Sequence, residues 1–271
     1  MNKENEITGE LIKEMVRDLG ADLVGIASVD RFEGAPLGHG PLELNPLAKS
    51  VIVAGIRIPD PVVDSEEYAE KMVDIPRDKM IPAISNDFYM QLGHYAQDLL
   101  LNTLAVKLAN KLEIGWGLRS LPTPNTFNTG LGRTVMASMI GFFSQRHAAT
   151  RAGLGEFGFN GLVLTPQFGP RVRFVSVITE ADLEPDPLIT EKICMRGACG
   201  GKDGPLCFQK CTNGALQMRE GIDLDSIFID IPTRNELSKC IGGGEGGPGF
   251  GCGFVGGCLR VCPTGMKVTR R

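Results

Sequence analysis

No cysteine precedes Cys194, and all eight cysteines of this 271-residue chain fall in its last third. A disulfide framework spread through the fold is therefore excluded. Basic residues are not in excess: 28 lysines and arginines face 32 acids, for a net charge of −4. Phosphate binding normally shows as a basic surplus, so nucleic acid is not an expected partner. No window approaches the roughly 18 uninterrupted apolar residues of a membrane span. The opening MNKENEITGELIKEM carries acids and no apolar stretch, unlike a signal peptide or twin-arginine leader. The expected location is cytoplasmic, where disulfides are rare and clustered cysteines point to metal or redox chemistry. No Walker A loop occurs, and no strand runs into a G-x-G-x-x-G at a helix start, so nucleotide binding has no support.

What is present upstream alternates between helix and strand. Ile7, Leu11, Ile12, Met15, Val16 and Leu19 repeat at helical spacing and stop at Gly20. The run from Ser50 to Ile56 is apolar and β-branched, as in a buried strand. Ser85-Asn86-Asp87 can cap a long helix with an apolar face of Phe88, Leu92, Tyr95, Leu99, Val106 and Leu112, ended by Gly115. Leu162–Thr165, a turn from Pro166 to Pro170, and Val172–Thr179 read as a β-hairpin. Together these predict an α/β (α+β) domain over residues 1–186. Pro185 and Pro187 mark a break near residue 186, beyond which glycine dominates. Residues 187–271 are expected to form a ferredoxin-like module carrying two [4Fe–4S] clusters.

That expectation rests on an internal echo. Cys207-Phe-Gln-Lys-Cys211-Thr-Asn-Gly214 matches Cys258-Leu-Arg-Val-Cys262-Pro-Thr-Gly265, so C-x3-C-x-x-G occurs twice. Two-cluster ferredoxins are built by such duplication: three cysteines of one run hold a cluster, and the fourth, before proline, reaches the other. A cubane presents irons at tetrahedral corners, so a tight loop supplies three thiolates and the fourth arrives from elsewhere. On that logic Cys194, Cys199, Cys207 and Cys262 form one ligand set. Cys211, Cys240, Cys252 and Cys258 form the other. Two alternatives stay open at this point. Zinc ribbons also use four cysteines, though they favour C-x2-C knuckles and this chain has none. Uncoordinated or disulfide-bonded cysteines are the other.

The segment from Ala149 to Asn160 reads A-T-R-A-G-L-G-E-F-G-F-N and is followed by Gly169-Pro-Arg-Val-Arg173 and Val177-Ile-Thr-Glu180. It resembles the corrinoid iron–sulfur reductases, namely epoxyqueuosine reductase and the respiratory reductive dehalogenases. Ala48–Val53, Asn86–Tyr89 and the isolated Cys240-Ile241 are similar to further segments of that family, so the likeness spans nearly the whole chain. The resemblance implies cobalamin bound base-off between an α/β domain and a cluster module, with electrons passing through the clusters to cobalt. It also implies that Gly153, Leu154, Gly155, Gly158 and Asn160 line the corrin, although those glycines could equally make a tight turn. The D-x-H-x-x-G motif of other corrinoid proteins is absent, which this family does not require.

The chain departs from the family in ways that bear on substrate. Epoxyqueuosine reductases carry a general acid ahead of A-G-L-G, and Met139 occupies that position here. A thioether cannot donate a proton. No helical-repeat segment for gripping tRNA follows Cys262, and no residue matches the catalytic tyrosine of the dehalogenases. Tyr89, His94, Tyr95 and His147 are the remaining proton-donor candidates; Tyr95 and Phe88 read as core, and His147, just ahead of A-G-L-G, is the one to test. Trp116, between two glycines, reads as core. The expectation is a reductase with a different substrate, a small molecule, fed by a low-potential donor such as a ferredoxin or flavodoxin. An electron-transfer or accessory protein without corrinoid, relaying electrons to a partner protein, is the rival.

Overall fold

The computed structural model describes residues 6–71, 87–125, 141–211, 213–236, 239–240 and 257–265. The chain divides into two compact units that interleave along the sequence: Met1–Arg57, Asp98–Gly155 and Arg173–Ile189 in the first, Ile58–Gln97, Glu156–Val172 and Thr190–Arg271 in the second. The fold is mixed α/β.

The first unit is built on a four-stranded sheet in the order β1 (Leu23–Ser28), β2 (Ser50–Arg57), β6 (Val172–Thr179), β3 (Ser120–Thr123). β2 is buried along six consecutive residues, so both of its faces are covered, as its β-branched run predicts. Helix α1 (Gly9–Asp18) starts where the Thr8 hydroxyl accepts from the Leu11 N–H at 3.3 Å, and it buries Ile12 and Val16 against the sheet. Helix α2 (Ala96–Trp116) adds Leu101, Leu104, Leu108 and Leu112 to the same core, with Ile26, Ile52, Val175 and Val177 from the strands. Each such side chain contributes about 1.5–3 kcal/mol of burial. Trp116 packs at the edge of this cluster, as its core reading expects.

Three expectations need correction. The apolar face assigned to the long helix is largely the wrong one: Phe88, Leu92, Tyr95, Leu99 and Val106 are exposed, and only Leu112 of that set is buried. The helix is apolar on nearly every side, so periodicity could not choose the face; packing against the sheet chose the stripe containing Leu101, Leu104 and Leu108. The helix also runs through Gly115 to Trp116, and Gly117 follows it. The cap at Ser85-Asn86 lies outside the described residues. Finally, the arms of the expected hairpin go to different sheets. Thr165 and Gly169 do bridge across the turn, but β5 (Val163–Leu164) pairs with β4 (Glu156–Phe157), whereas β6 joins the large sheet. Both hydrogen-bonding edges of β6 are taken by β2 and β3, so none is left for β5.

The Pro185–Pro187 break is firmly held. The Asp186 N–H donates to the Ile26 carbonyl of β1 at 2.9 Å, and its carboxylate takes the Lys13 ammonium at 2.5 Å and the Ile26 N–H at 2.9 Å.

In the second unit, β7 (Leu216–Met218) pairs with β8 (Thr233–Asn235), and two short helices, α4 (Leu206–Lys210) and α5 (Gly257–Val261), pack on each other. A small core of Ile58, Val62, Val63, Tyr89 and Leu259 supports α5. Buried Arg171 sits between Asp60 and Asp64, and Arg260 of α5 pairs with Glu66. Among the described residues no helix is long and apolar enough to cross a membrane.

The corrected helix face is testable. Leu108→Ala should cost about 2–5 kcal/mol as a core truncation, and Leu99→Ala less than about 0.5 kcal/mol as an exposed one. Urea midpoints of the two variants decide it; equal losses would restore the face read from periodicity.

Candidate metal centre

The duplicated C-x3-C-x-x-G motif takes the same local form twice. Cys207 lies in α4, with Cys211 as its cap, and Cys258 lies in α5, with Cys262 just beyond. Each helix is followed by a left-handed glycine, Gly214 at φ +61° and Gly265 at φ +78°. At Gly265 the requirement is also steric, because a Cβ would run into the Phe168–Gly169 backbone.

Cys194, Cys199, Cys207 and Cys262 line a single cavity that is open to solvent on one side. They arrive from three places: Cys194 and Cys199 from the stretch that runs from Ile193 into the 3-10 turn Ala198–Asp203, Cys207 from α4, and Cys262 from just after α5. Gly158, Phe159 and Asn160 form part of the same wall. Phe159 stacks on Phe228 at 6.0 Å and meets Phe208 edge-on at 6.4 Å, giving the cavity an apolar backing. Cys207 is buried, and burial is the main reason its thiol is pushed up to about 12; the neighbouring Cys194, Cys199 and Cys262 add to the effect. Cys262 is also raised, first by burial, and hydrogen bonds from the Thr264 backbone and hydroxyl oppose that rise.

Among the described residues no three His, Cys, Asp or Glu side chains converge on one point as a single metal ion requires. Zn–S bonds of about 2.3 Å would bring the sulfurs to within about 4 Å of each other. The four cysteines instead share the lining of one cavity. None of the seven described cysteines is in a disulfide.

Of the second set, Cys211 is buried and its Sγ accepts the Leu216 N–H at 3.3 Å. Cys240 and Cys258 are half-buried. Cys252 lies outside the described residues, as does Met139.

The five residues expected at the corrin divide between the units. Gly158 and Asn160 stand at the cysteine cavity, where Asn160 accepts the Leu162 N–H at 3.0 Å and its amide reaches the Cys258 carbonyl at 3.5 Å. Gly153, Leu154 and Gly155 belong to the first unit. Gly153 ends helix α3 (Gln145–Arg151), and a Cβ there would run into the Pro187 carbonyl, so packing alone accounts for this glycine. His147 is half-buried in the first turn of α3, with its Nδ1 2.7 Å from the hydroxyl of the capping Ser144. Tyr89 is buried and meets the His94 ring edge-on at 5.0 Å.

Sequence reasoning passed over Glu156. Its carboxylate is wholly buried and accepts from the N–H groups of Ile193 at 2.6 Å, Cys194 at 2.7 Å and Phe228 at 3.1 Å, and from both Nη atoms of Arg196. A lone acid inside the apolar, glycine-rich A-G-L-G-E-F-G-F-N was the available signal, because a buried charge needs a partner.

No family model matches the chain. Tetrachloroethene reductive dehalogenase of Sulfurospirillum multivorans is 31% identical over 116 residues, which are 42% of this chain and 22% of that protein. Epoxyqueuosine reductase of Bacillus cereus is 32% identical over 126 residues, 45% of this chain and 30% of that protein. A crystal structure of epoxyqueuosine reductase with an epoxyqueuosine-modified tRNA-Tyr stem loop superposes with a TM-score of 0.57 at 19% identity, covering 97% of this chain and 66% of that one. A reductive dehalogenase whose structure suggests a mechanism for B12-dependent dehalogenation gives 0.55 at 16% identity, over 89% and 30%.

The chain is a distant homologue of both reductases. It spans only about a fifth to a third of the curated relatives' lengths. The likeness to the solved structures is one of a mixed α/β fold, and in this chain all eight cysteines fall in the last third.

In the metal-free chain the raised Cys207 value means that folding favours the thiol. That contribution to stability is complete below about pH 9 and fades as pH climbs toward about 12. The thiolate is the reactive form, so Cys207 should alkylate slowly at pH 8 and about tenfold faster per pH unit up to about 12. Mass-spectrometric mapping of iodoacetamide labelling measures this; rapid labelling of Cys207 at pH 8 in the folded chain would refute it.

Proposed function

We propose that this protein is an iron–sulfur reductase that works with cobalamin, on a small-molecule substrate other than those of its relatives. One observation carries the reading: four cysteines from three segments surround a single cavity. As thiolates around one cavity the four would repel one another unless a positive core sat among them, and a [4Fe–4S] cluster would supply that core. Cys194, Cys199, Cys207 and Cys262 would hold it. Cys211, Cys240, Cys252 and Cys258 would hold a second cluster, in the crossed pattern of a duplicated ferredoxin module.

The residues present fit the role. The Leu216 N–H on Cys211 and the Thr264 donors on Cys262 are of the kind that tune cluster potential. Phe159, backed by Phe208 and Phe228, would keep water from one side of the first cavity. Cobalamin, when bound, would supply a strongly reducing cobalt centre, and the family resemblance of the A-G-L-G-E-F-G-F-N segment supports its presence. Electrons would enter from a low-potential donor such as a ferredoxin or flavodoxin. A reducing compartment such as the cytoplasm suits eight thiol ligands.

The test is iron and cobalt per chain, on protein made anaerobically with cobalamin supplied. Two cubanes require about eight irons, and Cys207→Ser should lower that to about four. About four irons in the unaltered chain would refute the two-cluster assignment. Stoichiometric cobalt is expected, and iron without cobalt would make the protein an electron relay.

A further inference from the structure

Ile193 and Cys194 lie in a loop with no regular secondary structure of its own, yet their amides are fixed by a single carboxylate. Glu156 has no solvent access, and Arg196 is nearly as enclosed, with 11% of its side chain exposed. Arg196 grips Glu156 through both Nη atoms, at 3.2 and 2.6 Å, donates to the Ser226 carbonyl at 2.9 Å, and lies 3.8 Å over the Phe228 ring. To do so it adopts φ +49°, a left-handed conformation uncommon for a residue with a side chain. Strain of that kind persists only where the surroundings over-determine it. No ordinary stability argument favours this arrangement, because a buried ion pair barely offsets the cost of desolvating both charges. Its location is what distinguishes it: the pair is clamped onto the backbone of one cavity cysteine.

We propose that Glu156 and Arg196 are a positioning pair that holds Cys194 at the cavity and sets the net charge beside it, and so the reduction potential of the cluster bound there. The inference rests on the cluster reading above. A negative charge near a cluster disfavours the added electron, and a positive charge favours it. The two partners therefore pull the potential in opposite directions.

The experiment uses the full chain, reconstituted anaerobically with iron and sulfide, and three variants: Glu156→Gln, Arg196→Met and Arg196→Lys. The readouts are iron per chain, circular dichroism, and midpoint potentials from redox titration followed by electron paramagnetic resonance. Glu156→Gln should shift one cluster's potential upward and Arg196→Met should shift the same one downward. Arg196→Lys should stay close to the unaltered chain. The other cluster's potential should not move. Shifts of the same sign, or none, would overturn the proposal. If Glu156→Gln keeps its helix content but loses half its iron, the holding role is supported, and the contrast between Met and Lys at position 196 decides the charge role. An unaltered chain that assembles no cluster would fail at the first readout, which identifies the cluster reading as the fault.

Discussion

Glu156 concentrates five hydrogen bonds on two oxygen atoms that water cannot reach. Its neighbour Phe157 pairs with Val163 in β4–β5 and also donates its N–H to the Phe228 carbonyl at 2.7 Å. One dipeptide thus ties together the turn that carries Gly158 and Asn160, the loop that carries Cys194, and the segment around Phe228. A carboxylate left in this position without its donors would be a buried, unpaired charge, and the segment could not close. The geometry of the cysteine cavity follows from that requirement more than from any propensity of the loops around it.

The second constraint is the repeat. Two short helices, each bearing a cysteine and each closed by a left-handed glycine, pack on one another. The packing brings Cys262 from the end of one helix to the cavity that Cys207 enters from the other. Neither helix is long enough to be stable alone. Their stability comes from the contact between them and from the Ile58, Val62 and Leu259 cluster beneath α5.

How much of this was legible depends on the kind of signal. Cysteine spacing is a one-dimensional pattern with a direct geometric meaning, and the four cysteines it groups do line one cavity. The β2 strand was equally plain, because a fully buried strand reads as an unbroken β-branched run. The face of α2 was not, since Leu99, Leu100, Leu101 and Leu104 offer several apolar stripes and only contact with the sheet selects one. The split of the expected hairpin was hidden for a related reason: strand pairing is decided by neighbours far along the chain. Glu156 was visible as an acid in an apolar stretch, but its partners come from residues 193–196 and 228, which local reasoning does not connect.

Cys262 lies late in the chain, while Cys194, Cys199 and Cys207 precede it by some fifty residues or more. During synthesis the ribosome therefore exposes three walls of the cavity well before the fourth. Domains fold largely as units once their residues have emerged, so this one stays open until its last contributors arrive. Over that interval the three early thiols are accessible to oxidants and to adventitious metals. The folded chain itself can shield them only after translation has passed Cys262.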